Sequence, residues 1–364
     1  MALEPGHPTA LREPGYPLLI AGLYEASGGR HAWVVLAAQT LMSVLIAAMV
    51  GSLGTELFGA GVGAAAFAAY MLYPQAIFYG ASLYRDTFVS FLFTACVWFT
   101  IRSARAGAEG RRALAVAGLS AGVLSVTSTA VALGAVPACA LALFMQDRAR
   151  GLRRAALFLL PVLAAGGAWT ARNWSTQGRF VFGSTSGGGE IYQAMTIDAD
   201  DLGTARQVLR LQGDPLWTAT LRLPEAERNA ALTRATAVLI AREPGLYARR
   251  VAVRLVKFWR LWPYRRAYDE SYRTVFFASL ASDAWMVPLG LLGFALLRRR
   301  WCEVPAVWLS VLALTSLYAA MHAVIRYRLP LMGYVILSSI AAASALGERF
   351  IGALRPAPRR PTAS

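Results

Sequence analysis

Three short polar sites interrupt an otherwise apolar sequence where charged groups could do chemistry. They are Asp86, Arg172 with Asn173, and Arg326 with Tyr327. An acid and two arginines on one membrane face could bind an anionic head group, because guanidinium binds two phosphate oxygens at once. A simpler interpretation stays open for each. The sole role of Asp86 could be to stabilise a helix N-terminus, and that of Arg172 could be to extend from a span to the membrane interface.

The composition around these sites is that of a membrane protein. Of 364 residues, 57% are hydrophobic and 15% charged, with a mean hydropathy of +0.46. The apolar residues form blocks nearly free of charge, as expected where a central charge costs about 2.5–3.5 kcal/mol. The net charge of +16 resides largely in loops, so the sequence predicts membrane lipids as partners and no nucleic acid.

We predict an all-α polytopic fold with about nine transmembrane helices. The predicted spans are 33–54, 60–80, 87–101, 113–126, 129–145, 155–171, 283–297, 304–322 and 329–347. Arginines flank 113–145 on both sides, so the number of crossings between them must be even, and two short helices fit. The same rule predicts an outer N-terminus and a cytoplasmic C-terminus. The chain then divides into an N-terminal membrane region (1–171), an outer loop (172–282), a C-terminal membrane region (283–347) and a disordered basic tail (348–364).

The long loop is predicted to contain amphipathic helices. One begins after Pro224, and a second begins at Pro244. The second has an apolar stripe opposed by a basic face. The stripe is Tyr247, Val251, Leu255, Phe258 and Trp262, and the basic face is Arg250, Arg254 and Lys257. A basic, aromatic-rich helix is typical of a membrane surface, although packing on the protein's own spans is the alternative.

Cysteines and histidines form no recognisable site. Cys96, Cys139 and Cys302 show no CxxC spacing, and the histidines His7, His31 and His322 are scattered. The sequence therefore predicts no disulfide framework, no metal motif and no cofactor, and leaves use of a divalent metal open.

Five motifs, in order, resemble those of membrane glycosyltransferases of family 39. They are PTALREPGYPLL at 8–19, YP with YGASL and the acid at 73–86, WTARN with Gly178, ER followed by KFW within 227–259, and RYRLP at 326–330. That family groups with the dolichyl-phosphate-mannose protein mannosyltransferases and the lipid A aminoarabinose transferases, all of the GT-C architecture. The resemblance covers nearly the whole chain.

The resemblance implies inverting transfer of a sugar from a polyprenyl-phosphate donor to a lipid, glycan or protein acceptor. The reaction would occur at the outer face of a bacterial plasma (inner) membrane. Asp86 would be the catalytic general base. The donor phosphate would be bound by Arg326, Arg172 and Arg85, the last standing where a threonine is common. Substrate contacts would come from Arg12, Tyr16, Asn173, Lys257 and Tyr327.

One departure concerns the N-terminus. In the family, a span and a loop with the principal acid precede the first motif, whereas here Met1 lies just before it. We expect an upstream extension of about 50–90 residues, enough for one span and a loop. Two alternatives stay open. One is a non-catalytic relative. The other is a transporter or flippase of polyprenyl-linked sugar, an interpretation that charged residues deep within the spans would favour.

Overall fold

The computed structural model describes residues 2–4, 7–105, 107–198, 201, 204–263 and 272–354. Two short strands, β1 (Ala2–Glu4) and β2 (His7–Pro8), pair antiparallel. The helices before the long loop are α1 (Gly15–Ala26), α2 (Ala32–Phe58), α3 (Ala60–Met71), α4 (Pro74–Gly80), α5 (Asp86–Arg102), α6 (Gly107–Ser125), α7 (Thr129–Gln146) and α8 (Gly151–Gln177). The loop helices are α9 (Gly187–Thr196), α10 (Ala205–Gln212), α11 (Pro215–Thr220), α12 (Glu225–Arg242) and α13 (Pro244–Phe258). The last helices are α14 (Tyr272–Leu296), α15 (Arg298–Cys302), α16 (Pro305–Ala320) and α17 (Leu329–Leu354), and a 3-10 turn at Ile325–Arg328 precedes α17.

Helices occupy every predicted span, and the protein is a multi-pass helical membrane protein. Within the described part of the chain, five helices are long and apolar enough to cross a membrane: α2, α7, α8, α14 and the one that includes α17. A sixth span results if α3 and α4, bent by 52°, count as one, and α16 is apolar but shorter. The count of nine and the orientation of the termini stay predictions.

The span predicted to begin at residue 283 in fact begins earlier. The helix α14 starts at Tyr272 and places Asp283 in its interior, where the side chain is fully buried. A charge can lie there because Arg328, also fully buried, pairs with the Asp283 carboxylate. A sequence read one span at a time cannot show that partner.

The C-terminal boundary also differs from the prediction. The helix α17 continues to Leu354, beyond the predicted start of a disordered tail at residue 348. The rest of the predicted tail, 355–364, lies outside the described residues.

The basic face predicted for α13 is partly buried. Arg254 is only 1% exposed and donates hydrogen bonds to the carbonyls of Ala194 and Ala319, which ties α13 to α9 and α16. From the apolar stripe, Phe258 is buried in the core while Leu255 is exposed. The helix therefore packs on the protein's own spans along some of its surface, because a guanidinium can satisfy free carbonyls at a helix end.

The N-terminal motif is held against the bundle by close backbone contacts. The Gly15 N–H donates to the Val126 carbonyl at 2.7 Å, and a Cβ at Gly15 would lie 2.1 Å from Thr127 Oγ1. Only glycine fits this approach. Glu225 at the start of α12 accepts hydrogen bonds from Thr9 Oγ1 at 2.6 Å and from the Ala10 N–H at 3.0 Å. The motif thereby connects the spans to the loop helices.

The predicted orientation can be tested at Cys302. This thiol is exposed at the end of α15, whereas Cys96 and Cys139 are buried. With those two replaced by alanine, we expect an impermeant maleimide to label Cys302 only after the membrane is broken, because arginine-rich short loops stay inside. Equal labelling in intact spheroplasts would reverse the orientation.

Candidate active site

A cavity of about 450 Å³, here called the polar cavity, brings together most of the residues predicted to act on substrate. It lies where the N-terminal motif meets α1, α5, α9 and the 3-10 turn before α17. Its polar lining consists of Arg12, Glu13, Tyr16, Tyr84, Arg85, Asp86, Ser128, Glu190, Tyr318, His322, Arg326 and Tyr327. The tertiary structure thus joins three motifs, of which the first and the last, represented by Arg12 and Arg326, are more than 300 residues apart in the chain.

Asp86 and Arg326 form a two-pronged ion pair in this cavity. Arg326 Nε donates to Asp86 Oδ1 and Arg326 Nη2 to Oδ2, both at 2.6 Å. The Arg326 side chain is 34% exposed and also lies over the Tyr84 ring, 4.7 Å from its centroid. Both predicted roles, base and phosphate ligand, therefore fall on groups that bind each other. An anionic ligand at Arg326 would compete with Asp86.

A second ion pair connects the N-terminal motif to the start of α5. Arg85 Nη1 donates to Glu13 Oε2 at 2.7 Å and to the Thr127 carbonyl at 3.0 Å. The other Glu13 oxygen accepts from the Thr129 N–H at 3.1 Å. Burial raises the pKa of Glu13, but Arg85 and the N–H groups outweigh it, so the net shift is downward and Glu13 stays ionised.

Glu190 is the third carboxylate of the polar cavity, and it is weakly paired. It lies in the first turn of α9, 4.0 Å from Arg12 Nη1. Burial is the main cause that raises the pKa of Glu190, and the charges of Arg12 and Arg85 offset this only partly. A hydrogen bond from Ser186 also acts against the effect of burial, and the net shift of the pKa is upward, so Glu190 takes up a proton more readily than an ordinary glutamate does.

Tyr16 and Tyr327 lie in the cavity as predicted, each fixed by a neighbour. The Tyr16 hydroxyl donates to Gln39 Oε1 at 2.8 Å, and burial raises the pKa of Tyr16 to about 12. The Tyr327 ring stacks on Tyr318 with centroids 5.0 Å apart. Both side chains can therefore offer fixed surfaces to a ligand.

Arg172, Asn173 and Lys257 line neither the polar cavity nor the two cavities that adjoin it. Arg172 donates to the Thr9 carbonyl at 2.9 Å and lies over the Trp169 ring. Asn173 is fully buried and donates to the carbonyls of a turn, including that of Val181 at 3.3 Å. In this structure the WTARN motif positions the PTALREPGYP segment.

An apolar groove of about 440 Å³ adjoins the polar cavity and shares Tyr84 and Arg326 with it. It runs between α4 and α14. Its remaining lining is Pro74, Gln75, Phe78, Tyr79, Pro263, Thr274, Val275, Ala278, Ser279, Val324 and Ile325. Phe78 is 50% exposed, so the groove includes surface that faces outward from the bundle.

A third cavity of about 510 Å³, here called the loop cavity, lies under the loop helices α9, α11 and α12. It shares Arg12, Glu190, His322 and Tyr327 with the polar cavity. Its own polar lining includes Trp217, Glu225, Arg228 and Asn229. The polar cavity therefore has an apolar neighbour on one side and a polar neighbour on another.

Among the residues that the structure describes, no group of three or more His, Cys, Asp or Glu side chains could hold a metal ion. The carboxylates of the polar cavity instead face arginines.

Glu13, Glu190 and His322 were not among the predicted site residues. Glu13 could have been predicted from the PTALREPGYP motif, where it follows Arg12. Glu190 follows a run of three glycines, an uncommon setting that could have singled it out. Gly188 in that run approaches Asn229 closely, since a Cβ there would lie 2.3 Å from the Asn229 carbonyl. His322 carries no sequence signal that we can identify.

Comparison of the sequence with protein-family models gave no match, and comparison with curated proteins gave none. Two solved structures are similar to the chain. Both are structures of the protein ArnT. ArnT from Cupriavidus metallidurans bound to undecaprenyl phosphate has a TM-score of 0.41 and 15% identity, over 95% of this chain and 69% of that one. The apo structure of the same protein has a TM-score of 0.39 and 16% identity, over 97% and 72%. ArnT is a lipid A aminoarabinose transferase of GT-C fold, the group that the sequence motifs resemble.

Proposed function

We propose that this protein is a membrane glycosyltransferase that moves a sugar from a polyprenyl-phosphate donor to an acceptor. The observation that carries the proposal is the position of Arg326. This guanidinium borders both the polar cavity and the apolar groove. A donor with an anionic phosphate between a sugar and a long hydrocarbon chain has the matching order of chemical groups.

In this proposal the phosphate binds Arg326, the sugar lies in the polar cavity and the first isoprene units lie in the groove. Departure of the lipid phosphate leaves negative charge on its oxygens. A fixed guanidinium in a poorly hydrated cavity stabilises that charge more in the transition state than in the ground state. Release of Arg326 to the phosphate would free the Asp86 carboxylate, which is the sequence-based candidate for the general base.

Transport receives no support from the charges inside the bundle. Asp283 and Arg328 are deep and fully buried, but they pair with each other and line none of the three cavities. Asp283 also accepts a hydrogen bond from the Tyr73 hydroxyl at 2.9 Å. Charges that are paired with each other inside the protein offer no site to a passing substrate.

The test uses purified protein in lipid vesicles and undecaprenyl phosphate linked to radiolabelled hexoses or pentoses, with bacterial membrane extract as the source of acceptor. Undecaprenyl phosphate is the lipid present in one of the ArnT structures. We expect one donor to release free undecaprenyl phosphate while its label passes to an acceptor. Label that crosses the vesicle membrane on an intact donor would indicate a flippase. Binding of undecaprenyl phosphate with no turnover would indicate a non-catalytic relative.

The groove gives a separate prediction. Ala278→Trp should fill the groove and lower the affinity for undecaprenyl phosphate about tenfold or more, because several buried CH₂ groups at ~0.8 kcal/mol each are displaced. Binding can be measured by native mass spectrometry. Ala281→Trp, on the same helix but on its exposed surface, is the matched control. Equal affinities for the two variants would remove the lipid chain from the groove.

A further inference from the structure

Glu190 lies at the boundary between the polar cavity and the loop cavity, and it lines both. The groups that share this position are Arg12, His322 and Tyr327. A group at this boundary can touch a molecule that enters from the loop side and meets the donor in the polar cavity. Asp86 lines only the polar cavity.

The three carboxylates of the polar cavity differ in how firmly they are held. Each Asp86 oxygen accepts from Arg326 at 2.6 Å, and the two Glu13 oxygens accept at 2.7 Å and 3.1 Å. Among the described residues, the nearest cationic atom to Glu190 is Arg12 Nη1 at 4.0 Å. Arg12 is itself 59% exposed, so its side chain can move away without breaking a buried contact. The Ser186 side chain also donates a hydrogen bond toward Glu190, but no cation holds either Glu190 oxygen as closely as Arg326 holds Asp86. A carboxylate that no cation holds tightly can accept a proton from a substrate, as a general base must.

The loop cavity has the lining of a site for a hydroxylated molecule. The Arg228 guanidinium lies over the Trp217 ring, 4.6 Å from its centroid, and Tyr192 also stacks on this ring, so the three side chains form one stacked group in this region. Arg228 Nε is buried and has no hydrogen-bond partner among the described residues. Buried donors of this kind usually find a partner, so the atom is suited to meet an oxygen of a bound molecule. Asn229 adds an amide to the same wall.

We propose that Glu190 is the general base of the transfer reaction and that a hydroxylated acceptor reaches it through the loop cavity. This inference rests on the proposed function. The acceptor O–H proton passes to a Glu190 oxygen as the acceptor oxygen bonds to the anomeric carbon. The bond from that carbon to the phosphate oxygen breaks, and its electron pair leaves on the lipid phosphate. The phosphate gains one negative charge beside Arg326. In this scheme Asp86 holds Arg326 in position until the phosphate binds.

The surroundings of Glu190 set the expected pH dependence. Its charged and titratable neighbours come from every element packed around it: Arg12, Glu13, Arg85, Glu225, Arg228, Arg254, Tyr318, His322 and Tyr327. Burial raises the pKa of Glu190 above its ordinary value. Because the base acts only when ionised, turnover should fall as the pH falls through this raised pKa. The turnover rate should therefore begin to decrease at a pH above ~4.3, which is the usual pKa of a glutamate side chain.

The experiment measures release of undecaprenyl phosphate from the radiolabelled donor between pH 4.5 and 8, in the vesicles described above. We expect Glu190→Gln to lower the rate about 10²–10⁴-fold, the usual contribution of a general base. Its residual rate should be independent of pH over the range where the wild-type rate falls. Formate should partly restore Glu190→Ala, because a small carboxylate can take the empty place. Asp86→Asn should be slower than wild type, but its rate should still decrease at low pH as the wild-type rate does.

Glu227→Gln is the matched control, since Glu227 is 41% exposed, pairs with Arg179 and lines none of the three cavities. We expect it to keep the wild-type rate and profile. Binding of undecaprenyl phosphate to Glu190→Gln should equal that of wild type, which shows that the donor site is intact. The assignment of Glu190 would be overturned if the rate of Glu190→Gln still decreased at low pH, or if the rate of Asp86→Asn no longer did. Either result would leave the proposed function standing. A wild-type protein that turns over no donor would overturn both.

Discussion

Replacement of Arg326 by alanine is expected to lower turnover about 10²–10³-fold, equivalent to roughly 2–4 kcal/mol of lost transition-state stabilisation. Arg326 is the cation that lines both the polar cavity and the groove. Under the proposed function, its loss would remove the charge that stabilises the departing phosphate. Arg326→Lys should recover only a fraction of the rate. Lysine retains the charge but cannot reproduce the fork that now holds both Asp86 oxygens.

The measurement is undecaprenyl phosphate release by equal amounts of folded protein in vesicles. Arg298→Ala, at the start of α15 and away from all three cavities, is the control. If Arg326 only anchored the chain at the interface, lysine would restore the rate fully, because either side chain can reach the head groups. Near-wild-type turnover in Arg326→Ala would remove the residue from the site.

Arg328→Ala is expected to destabilise the protein by about 3–5 kcal/mol, although Arg328 lies only two residues from Arg326. Its guanidinium is fully buried, pairs with Asp283 and donates to the Arg260 carbonyl at 2.6 Å. Removal of either partner leaves a buried charge uncompensated. Asp283→Ala should therefore be similarly unstable, and the double variant Asp283→Leu with Arg328→Met should be more stable than either single alanine variant.

The unfolding of these variants can be followed with a thiol-reactive fluorophore, because Cys96 and Cys139 are buried and become reactive only when the bundle opens. Cys302 is exposed and is replaced by serine in all variants. Arg298→Ala again serves as the control and should unfold as the parent does. A single alanine variant at Asp283 or Arg328 with unchanged stability would show that the pair contributes little.

The RYRLP motif shows how far sequence reasoning could go. The motif contains two arginines at the beginning of the last span, of which only Arg326 was predicted to bind phosphate, and in the structure the two have opposite surroundings. The 3-10 turn at Ile325–Arg328 directs Arg326 into the polar cavity and buries Arg328 against α14. Helical periodicity could not separate them, since the turn does not belong to the regular α-helix.

The PTALREPGYP motif gives a similar lesson for the loop. Its residues Arg12 and Tyr16 were predicted to contact substrate, and both line the polar cavity. Its neighbour Glu13 belongs to the same motif but was not predicted to be a site residue, and the structure places it in the polar cavity, paired with Arg85. For Arg172 and Asn173 the motif was recognisable, but the structure shows both bound to backbone carbonyls of adjoining segments.

The sequence by itself determined the helical membrane class, the positions of the apolar helices and the motifs that carry charge. These follow from local properties, because an apolar run long enough to cross a bilayer and its flanking charges are readable one segment at a time. Only the tertiary structure decided which charges meet. The pairs Asp86–Arg326 and Asp283–Arg328 join residues far apart in the chain, and Glu190 reaches the cavity from a loop helix without a family motif. Whether a carboxylate is a base, a positioning group or a buried partner depends on the side chains that folding places beside it.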